Sequence, residues 1–168
     1  MSEQGEEIAR DCMSAVRAAI EFCESCPEEG WTAITSEEGW PVAAVVRHIA
    51  EGGRVLVGFA QEMAAGRDVT TTMAEIDAWN AAQLDDWSKT TRAEAIELLS
   101  EVRDLAARTV RGYSHEQLSG EHMFAIYGQP RTTARMAEGF ALHALEHLDS
   151  ARAATGPLHA VRPGQLSR

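Results

Sequence analysis

The feature that most constrains the fold of this chain is a helical repeat of apolar residues along most of its length. In the first segment, apolar side chains recur at the spacing of one helix face: Ile8, Cys12, Ala15, Ala19 and Cys23. The same period predicts helices over about residues 4–26, 41–66, 73–88, 92–112 and 131–155. Helices with one apolar stripe bury it most simply against one another, so the predicted fold class is all-α, a helical bundle.

Two capping boxes divide the third helix of this predicted bundle. Thr72 and Glu75 form one box, and Thr91 and Glu94 form the other. In each box the hydroxyl and the carboxylate satisfy free amides of a first helical turn. Each box therefore marks a separate start, and the third helix is predicted to be broken near Thr90.

The length of the chain and the Gly-Pro pair after its last predicted helix indicate a single domain followed by a short tail. With 168 residues, the chain is long enough to bury a core without disulfides. Residues 113–130 lack a clear period and are predicted to be irregular, with at most a short strand at Met123–Tyr127. A Gly-Pro pair ends the last predicted helix, so we expect the bundle to cover residues 1–156 and a C-terminal tail to cover 157–168.

Charge and the length of apolar runs narrow the classes of partner. The 15 Lys and Arg against 26 Asp and Glu give a net charge of −11, which would repel a nucleic-acid backbone. No apolar run approaches the roughly 18 residues of a membrane span, and no secretory signal is recognisable. We therefore expect a cytoplasmic protein that binds neither nucleic acid nor membrane. Cys12, Cys23 and Cys26 are then expected to be reduced thiols of unassigned role.

Three histidines are predicted to face the interior of the bundle. His143 and His147 lie four apart in the middle of the last apolar stripe, and His48 lies at the edge of the second. Residues four apart on a helix have Cβ atoms roughly 5–6 Å apart, from which two imidazoles can bind one cation. The histidines are either core residues, each with its own hydrogen-bond partner, or ligands of one metal. Neither stripe contains an obvious carboxylate partner, which favours the shared metal.

Two further polar residues are candidates for catalysis. Asn80 shares a predicted helix face with Ile76 and Trp87. A buried amide there needs a hydrogen-bond partner, which is either a neighbouring backbone group, a structural role, or a metal-bound water or substrate, a role in the site. Glu146 lies beside the histidine pair, either at the rim of a site or, as the spacing favours, on the surface. The HALEH run also matches the H-x-x-E-H peptidase pattern, but no later glutamate follows Glu146 to complete that site.

Three segments, taken in order, carry a family resemblance. They are GWPVAAVVRHIAEGGRVL with His48, TMAEIDAWNAAQLDDWSKTTRAEAIELL with Asn80, and FALHALEHLDSA with His143 and His147. They resemble the second-helix entry, the third-helix segment and the closing H-x-x-x-H of the DinB-like superfamily of metal-binding four-helix bundles. The branch they resemble most includes the N-terminal domain of mycothiol-dependent maleylpyruvate isomerases.

This resemblance implies an up-down-down-up four-helix bundle with a three-histidine metal site at one end, often Zn or Ni, and frequently a homodimer. It implies that the three inward histidines are the metal ligands. For a dimer, Leu142, Leu145 and Leu148 are expected to give the last helix apolar area outside the histidine stripe. The alternative is that residues 113–130 cover part of this area.

The resulting functional hypothesis is a metal-dependent enzyme acting on a small electrophilic molecule. Three neutral imidazoles leave a zinc-like ion open positions at which a thiol or a water can lose its proton near neutral pH. The enzyme would transfer a low-molecular-weight thiol of the mycothiol or bacillithiol type, or hydrolyse its substrate. Two alternatives stay open: a non-catalytic metal-containing protein that binds a ligand or responds to stress, and a metal-free bundle in which the histidines are structural.

Overall fold

The computed structural model describes residues 2–156, and the predicted tail at 157–168 lies outside them. Its elements are α1 Glu3–Ser25, α2 Glu28–Trp31, α3 Val42–Ala64, α4 Met73–Trp87, α5 Arg92–Arg111, α6 His115–Ser119, β1 Glu121–Phe124, β2 Gln129–Thr132 and α7 Thr133–Thr155. The helical-bundle prediction is confirmed, with a small two-stranded sheet added. Among the described residues, no helix has the length and apolar character needed to cross a lipid bilayer.

The bundle consists of the four long helices α1, α3, α5 and α7. α1 packs against α5 and α7, and α3 packs against the same two helices. Thus α1 and α3 lie diagonally across the bundle from each other, and so do α5 and α7. The first two long helices in chain order are therefore not neighbours. Each long helix contributes fully buried apolar side chains to one core, for example Val16, Ile49, Leu99 and, at 2% exposure, Phe140. Because α3 and α7 are neighbours, residues on their facing sides are brought together.

The helix between α3 and α5 stands apart from the bundle. Both predicted capping boxes are present, at the first turns of α4 and α5. The predicted break is confirmed at Thr90, whose carbonyl accepts a hydrogen bond from the indole of Trp31 at 2.8 Å. α5 belongs to the bundle, whereas α4 packs on α3 and buries only its last residue, Trp87. The rest of α4 is therefore free to form one wall of a pocket.

Residues 113–130, which were predicted to be irregular, contain regular structure. The helix α6 begins with a third capping box, formed by Ser114 and Gln117. The predicted strand at Met123–Tyr127 is shifted in the structure, because β1 ends at Phe124. A turn with Gly128 at φ 64° then returns the chain as β2, antiparallel to β1. The positive φ explains why glycine occupies this turn.

The hairpin of β1 and β2 is fixed to the bundle by the chain that follows α3. The amide of Val69 donates to the carbonyl of Met123 at 2.9 Å, and its carbonyl accepts from Ala125 at the same distance. A carboxylate oxygen of Asp68 accepts from the Met123 amide at 2.8 Å. These bonds hold the hairpin at the end of α3, beside the wall formed by α4.

The outer side of α7 carries part of the apolar area on which the homodimer prediction rests. Leu142 and Leu145 are 48% and 40% exposed, but Leu148 is fully buried. The expectation that Leu148 lies on this outer side is therefore wrong, because the residue belongs to the core cluster. The homodimer stays a prediction that sedimentation analysis would test.

All three cysteines are buried free thiols. Burial raises the pKa of Cys12 and of Cys23 to about 12, and burial also raises the pKa of Cys26. A thiol with a raised pKa carries little thiolate at neutral pH and is a weak nucleophile. The structure therefore gives these residues a packing role.

Candidate metal centre

The three inward histidines converge where α3 faces α7. The ring of His48 lies 4.9 Å from that of His143 and 4.6 Å from that of His147, and the last two rings are also 4.6 Å apart, measured between centroids. One ring nitrogen from each residue lies within 4.8 Å of the other two. Three nitrogens bound to one zinc-like ion at about 2.0–2.1 Å would lie closer together than this, so binding would draw the rings toward the ion.

Burial favours the neutral form of two of these imidazoles, those of His48 and His143. Burial, with a smaller contribution from His147, lowers the pKa of His48 to about 4, although Glu38 acts in the opposite direction. Burial, followed by the other two histidines, lowers the pKa of His143 well below its ordinary value. A neutral imidazole has a lone pair to donate, which is the form that binds a metal.

A glycine on α3 makes room for one of the rings. A Cβ at Gly52 would lie 2.5 Å from Nε2 of His143, closer than real side chains approach. The next residue, Gly53, gives the same clearance to the ring of Phe140, which a Cβ would approach to 2.4 Å. The pair of glycines therefore lets α7 lie close to α3 at the level of the histidines.

The structure adds a carboxylate to the site that the sequence pattern did not reveal. Glu38, in the loop before α3, lies 2.7 Å from Nδ1 of His147 and also accepts a hydrogen bond from the hydroxyl of Ser150. Burial raises the pKa of the Glu38 carboxyl, but hydrogen bonds from Ser150, His147 and Thr35 together lower it below its ordinary value. Neither helix stripe supplies this carboxylate, as expected, and the partner of His147 comes instead from a loop that the helix pattern does not describe.

Local turn geometry explains how Glu38 reaches this position. Thr35 closes the loop by donating both its amide, at 2.9 Å, and its hydroxyl, at 3.1 Å, to the carbonyl of Trp40. Gly39 has a φ of 71°, a conformation that glycine adopts without strain. Because an ionised carboxylate only accepts hydrogen bonds, it holds the proton of a neutral His147 on Nδ1 and leaves Nε2 as the lone-pair nitrogen.

The chemistry of this donor set fits a metal ion. Nδ1 of His48 and Nε2 of His143 are buried and have no hydrogen-bond partner among residues 2–156. Buried polar atoms normally have a hydrogen-bond partner. Two unpaired nitrogens near Nε2 of His147 therefore indicate one shared partner that is not a protein group. A cation with three imidazole ligands would satisfy all of them, and a carboxylate–histidine pair is a usual support for such a ligand.

The histidines form the floor of a cavity of about 670 Å³ between α3, α4, α7 and the hairpin. Its walls are largely apolar and include Trp40, Phe59, Ile76 and Leu142. The ring of Trp40 meets that of His48 edge-on, with the centroids 5.5 Å apart. The cavity has the size and composition usual for a small-molecule site, and it ends at the histidine cluster.

Both predicted catalytic candidates line this cavity. The carbonyl oxygen of the Asn80 side chain is buried without a hydrogen-bond partner among the described residues. Its role in the site stays a prediction. Glu146 lines the cavity as well but is exposed, as the favoured surface position predicts.

Comparisons with known proteins agree with the fold of this chain. YfiT from Bacillus subtilis, described as a probable metal-dependent hydrolase with an unusual four-helix bundle topology, has a similar structure with a TM-score of 0.69 at 14% identity. The similarity covers 92% of this chain and 86% of YfiT. A mycothiol-dependent maleylpyruvate isomerase is similar with a TM-score of 0.71 at 12% identity, over 92% of this chain and 65% of the isomerase. The chain thus spans just under two thirds of that isomerase.

Because the sequence identities are only 14% and 12%, these two similarities concern the fold alone.

No curated protein sequence matches the chain. The family model described as the DinB superfamily matches residues 14–151, which include the three histidines, Glu38 and Asn80. The chain therefore belongs to the DinB superfamily.

Proposed function

We propose that this protein is a metal-dependent enzyme whose ion is bound by His48, His143 and His147. The observation that carries the proposal is the convergence of three imidazoles, with buried unpaired nitrogens, on the floor of an apolar cavity. The metal is proposed to be zinc or nickel, both of which accept imidazole ligands. The reaction is transfer of a low-molecular-weight thiol of the mycothiol or bacillithiol type to a small electrophile, or hydrolysis of that electrophile, in the cytoplasm.

The ion would bind a thiol or a water and lower the pKa of that group, so that it is deprotonated near neutral pH. The residues of the chain supply the rest. Glu38 holds the ring of His147 in one orientation and tautomer. Asn80 offers its carbonyl oxygen to a donor group of the bound molecule. The apolar walls exclude water around the reacting groups, which strengthens polar interactions there.

The proposal is tested with the purified, metal-loaded protein. Mycothiol and bacillithiol are each incubated with a panel of small electrophiles, and a second panel of esters and amides is incubated without thiol. We expect turnover with at least one combination, lost in His143→Ala and retained in His115→Ala, an exposed histidine on α6. Asn80→Ala is expected to lower the turnover number while the metal content stays at the wild-type level.

The main alternative is a metal-containing protein that binds a ligand without turning it over. An ion whose coordination is completed by protein atoms alone, with no exchangeable water or thiol, would support that alternative and contradict the enzyme. Water-proton relaxation on the protein loaded with a paramagnetic divalent ion distinguishes the two, because only an open position exchanges water.

A further inference from the structure

One wall of the cavity carries an arginine that the proposed reaction does not use. Arg131, on β2, lines the cavity, and its guanidinium lies 5.1 Å from the ring centroid of Tyr127. Within residues 2–156, the side chain makes no ion pair, and its Nε is buried without a hydrogen-bond partner. The hairpin that holds Arg131 is itself bonded to the chain after α3, so the position of its backbone is fixed.

Arg131 differs in this respect from the other charged groups of the cavity. Arg135 is paired with Glu138 at 3.1 Å. The acidic residues Asp77 and Glu146 are exposed, so water solvates their carboxylates. A buried guanidinium donor without an acceptor costs free energy until an anion reaches it, whereas a solvated carboxylate has no such need. A ligand that balances the unpaired charge in this cavity would therefore carry a negative charge.

We infer that Arg131 binds a carboxylate of the molecule that fills the cavity, and that this molecule has an apolar body. The planar fork of a guanidinium matches the two oxygens of a carboxylate. Aromatic and aliphatic walls, among them Trp40, Phe59 and Leu84, match an apolar body. The ligand would extend from Arg131 at the hairpin toward the histidine floor. This inference rests on the proposed function only in taking the cavity to be the substrate site.

The carboxylate would belong either to the electrophilic substrate or to the thiol, and binding measurements separate the two. Isothermal titration of the metal-loaded protein compares 4-phenylbutyrate with 4-phenylbutyramide, and N-acetylcysteine with its amide. Within each pair a carboxylate is replaced by a neutral amide of similar size and shape. The same titrations are made on Arg131→Gln, on Arg131→Lys, and on Arg17→Gln, a control that removes one exposed arginine of α1 lying outside the cavity.

We expect the protein to prefer the acid over the amide on the order of 10- to 100-fold in at least one pair, as a charge-assisted hydrogen bond provides. The preference should disappear in Arg131→Gln, persist in part in Arg131→Lys and be unchanged in Arg17→Gln. The pair that shows it identifies the source of the carboxylate. A preference absent from both pairs, or one that survives Arg131→Gln because the metal binds the acid, overturns the inference. These titrations require no turnover, so failure of the proposed reaction does not affect their result.

Discussion

Replacing Gly52 with alanine is expected to displace His143 while leaving the bundle folded. The new Cβ would lie 2.5 Å from Nε2 and 3.0 Å from Cε1 of this ring. Ordinary contact between such atoms requires about 3.5 Å, so the ring has to move by roughly 1 Å. A metal–nitrogen distance tolerates only about 0.2 Å around its usual value.

The displacement is therefore large compared with the tolerance of a metal–nitrogen bond, and the new Cβ occupies space beside Nε2 that the ring needs. Loss of a residue that merely orients a ligand lowers metal affinity roughly 10- to 100-fold, and displacement of a ligand should cost at least that much. Helix stability is not reduced by the same change, because alanine is favoured over glycine in a helix by about 0.8–1 kcal/mol. The assay is competition with a chelator of known affinity, together with thermal melting followed by circular dichroism.

Two other glycines of α3 provide matched controls. A Cβ at Gly58 meets nothing within 4 Å, so Gly58→Ala should bind metal normally and melt about 2–4 °C higher. A Cβ at Gly53 would lie 2.4 Å from Phe140, so Gly53→Ala should lose roughly 1–3 kcal/mol of folding free energy through overpacking. If Gly52→Ala binds metal as tightly as Gly58→Ala does, His143 is not a ligand in the orientation described.

Three further predictions follow from other parts of the structure. Glu38→Gln should weaken metal binding roughly 10- to 100-fold in chelator competition, because the amide no longer fixes the tautomer of His147; unchanged affinity would show that the contact is incidental. Thr91→Ala removes a capping box and should lower the free energy of unfolding in urea by about 0.5–2 kcal/mol without changing metal content, and a loss below this range would mean that α5 does not depend on its cap. Burial holds the pKa of Cys12 and Cys23 at about 12, so a thiol reagent at pH 8 should react slowly with the folded protein and rapidly in urea; fast reaction in the folded state would contradict their packing role.

The long helices were predictable because periodicity and caps act over short stretches of sequence. The boxes at Thr72 and Thr91 predict the starts of α4 and α5, and both are present. α6 was missed because five mostly polar residues show no period, although Ser114 and Gln117 form the same type of box and carried the signal. The position of Leu148 was also missed, because helix spacing alone does not tell which of two apolar sides meets a neighbouring helix.

The predicted site was incomplete for a similar reason. His48, His143 and His147 could be brought together from helix faces, because α3 and α7 each present one apolar stripe. Glu38 contacts a residue 109 positions later in the chain, from a loop that has no period to interpret. Arg131 lines the cavity only because the β1–β2 hairpin places it there, and the sequence pattern did not predict that hairpin. Contacts made by loops depend on the finished packing, which local sequence rules do not describe.

The metal content of the purified protein tests the central claim most directly. Elemental analysis should find about one equivalent of zinc or nickel per chain, lost in each of the folded variants His48→Ala, His143→Ala and His147→Ala, and retained in His115→Ala. A wild-type protein that binds no metal after equilibration with zinc and nickel, or one whose metal survives all three substitutions, would contradict the account.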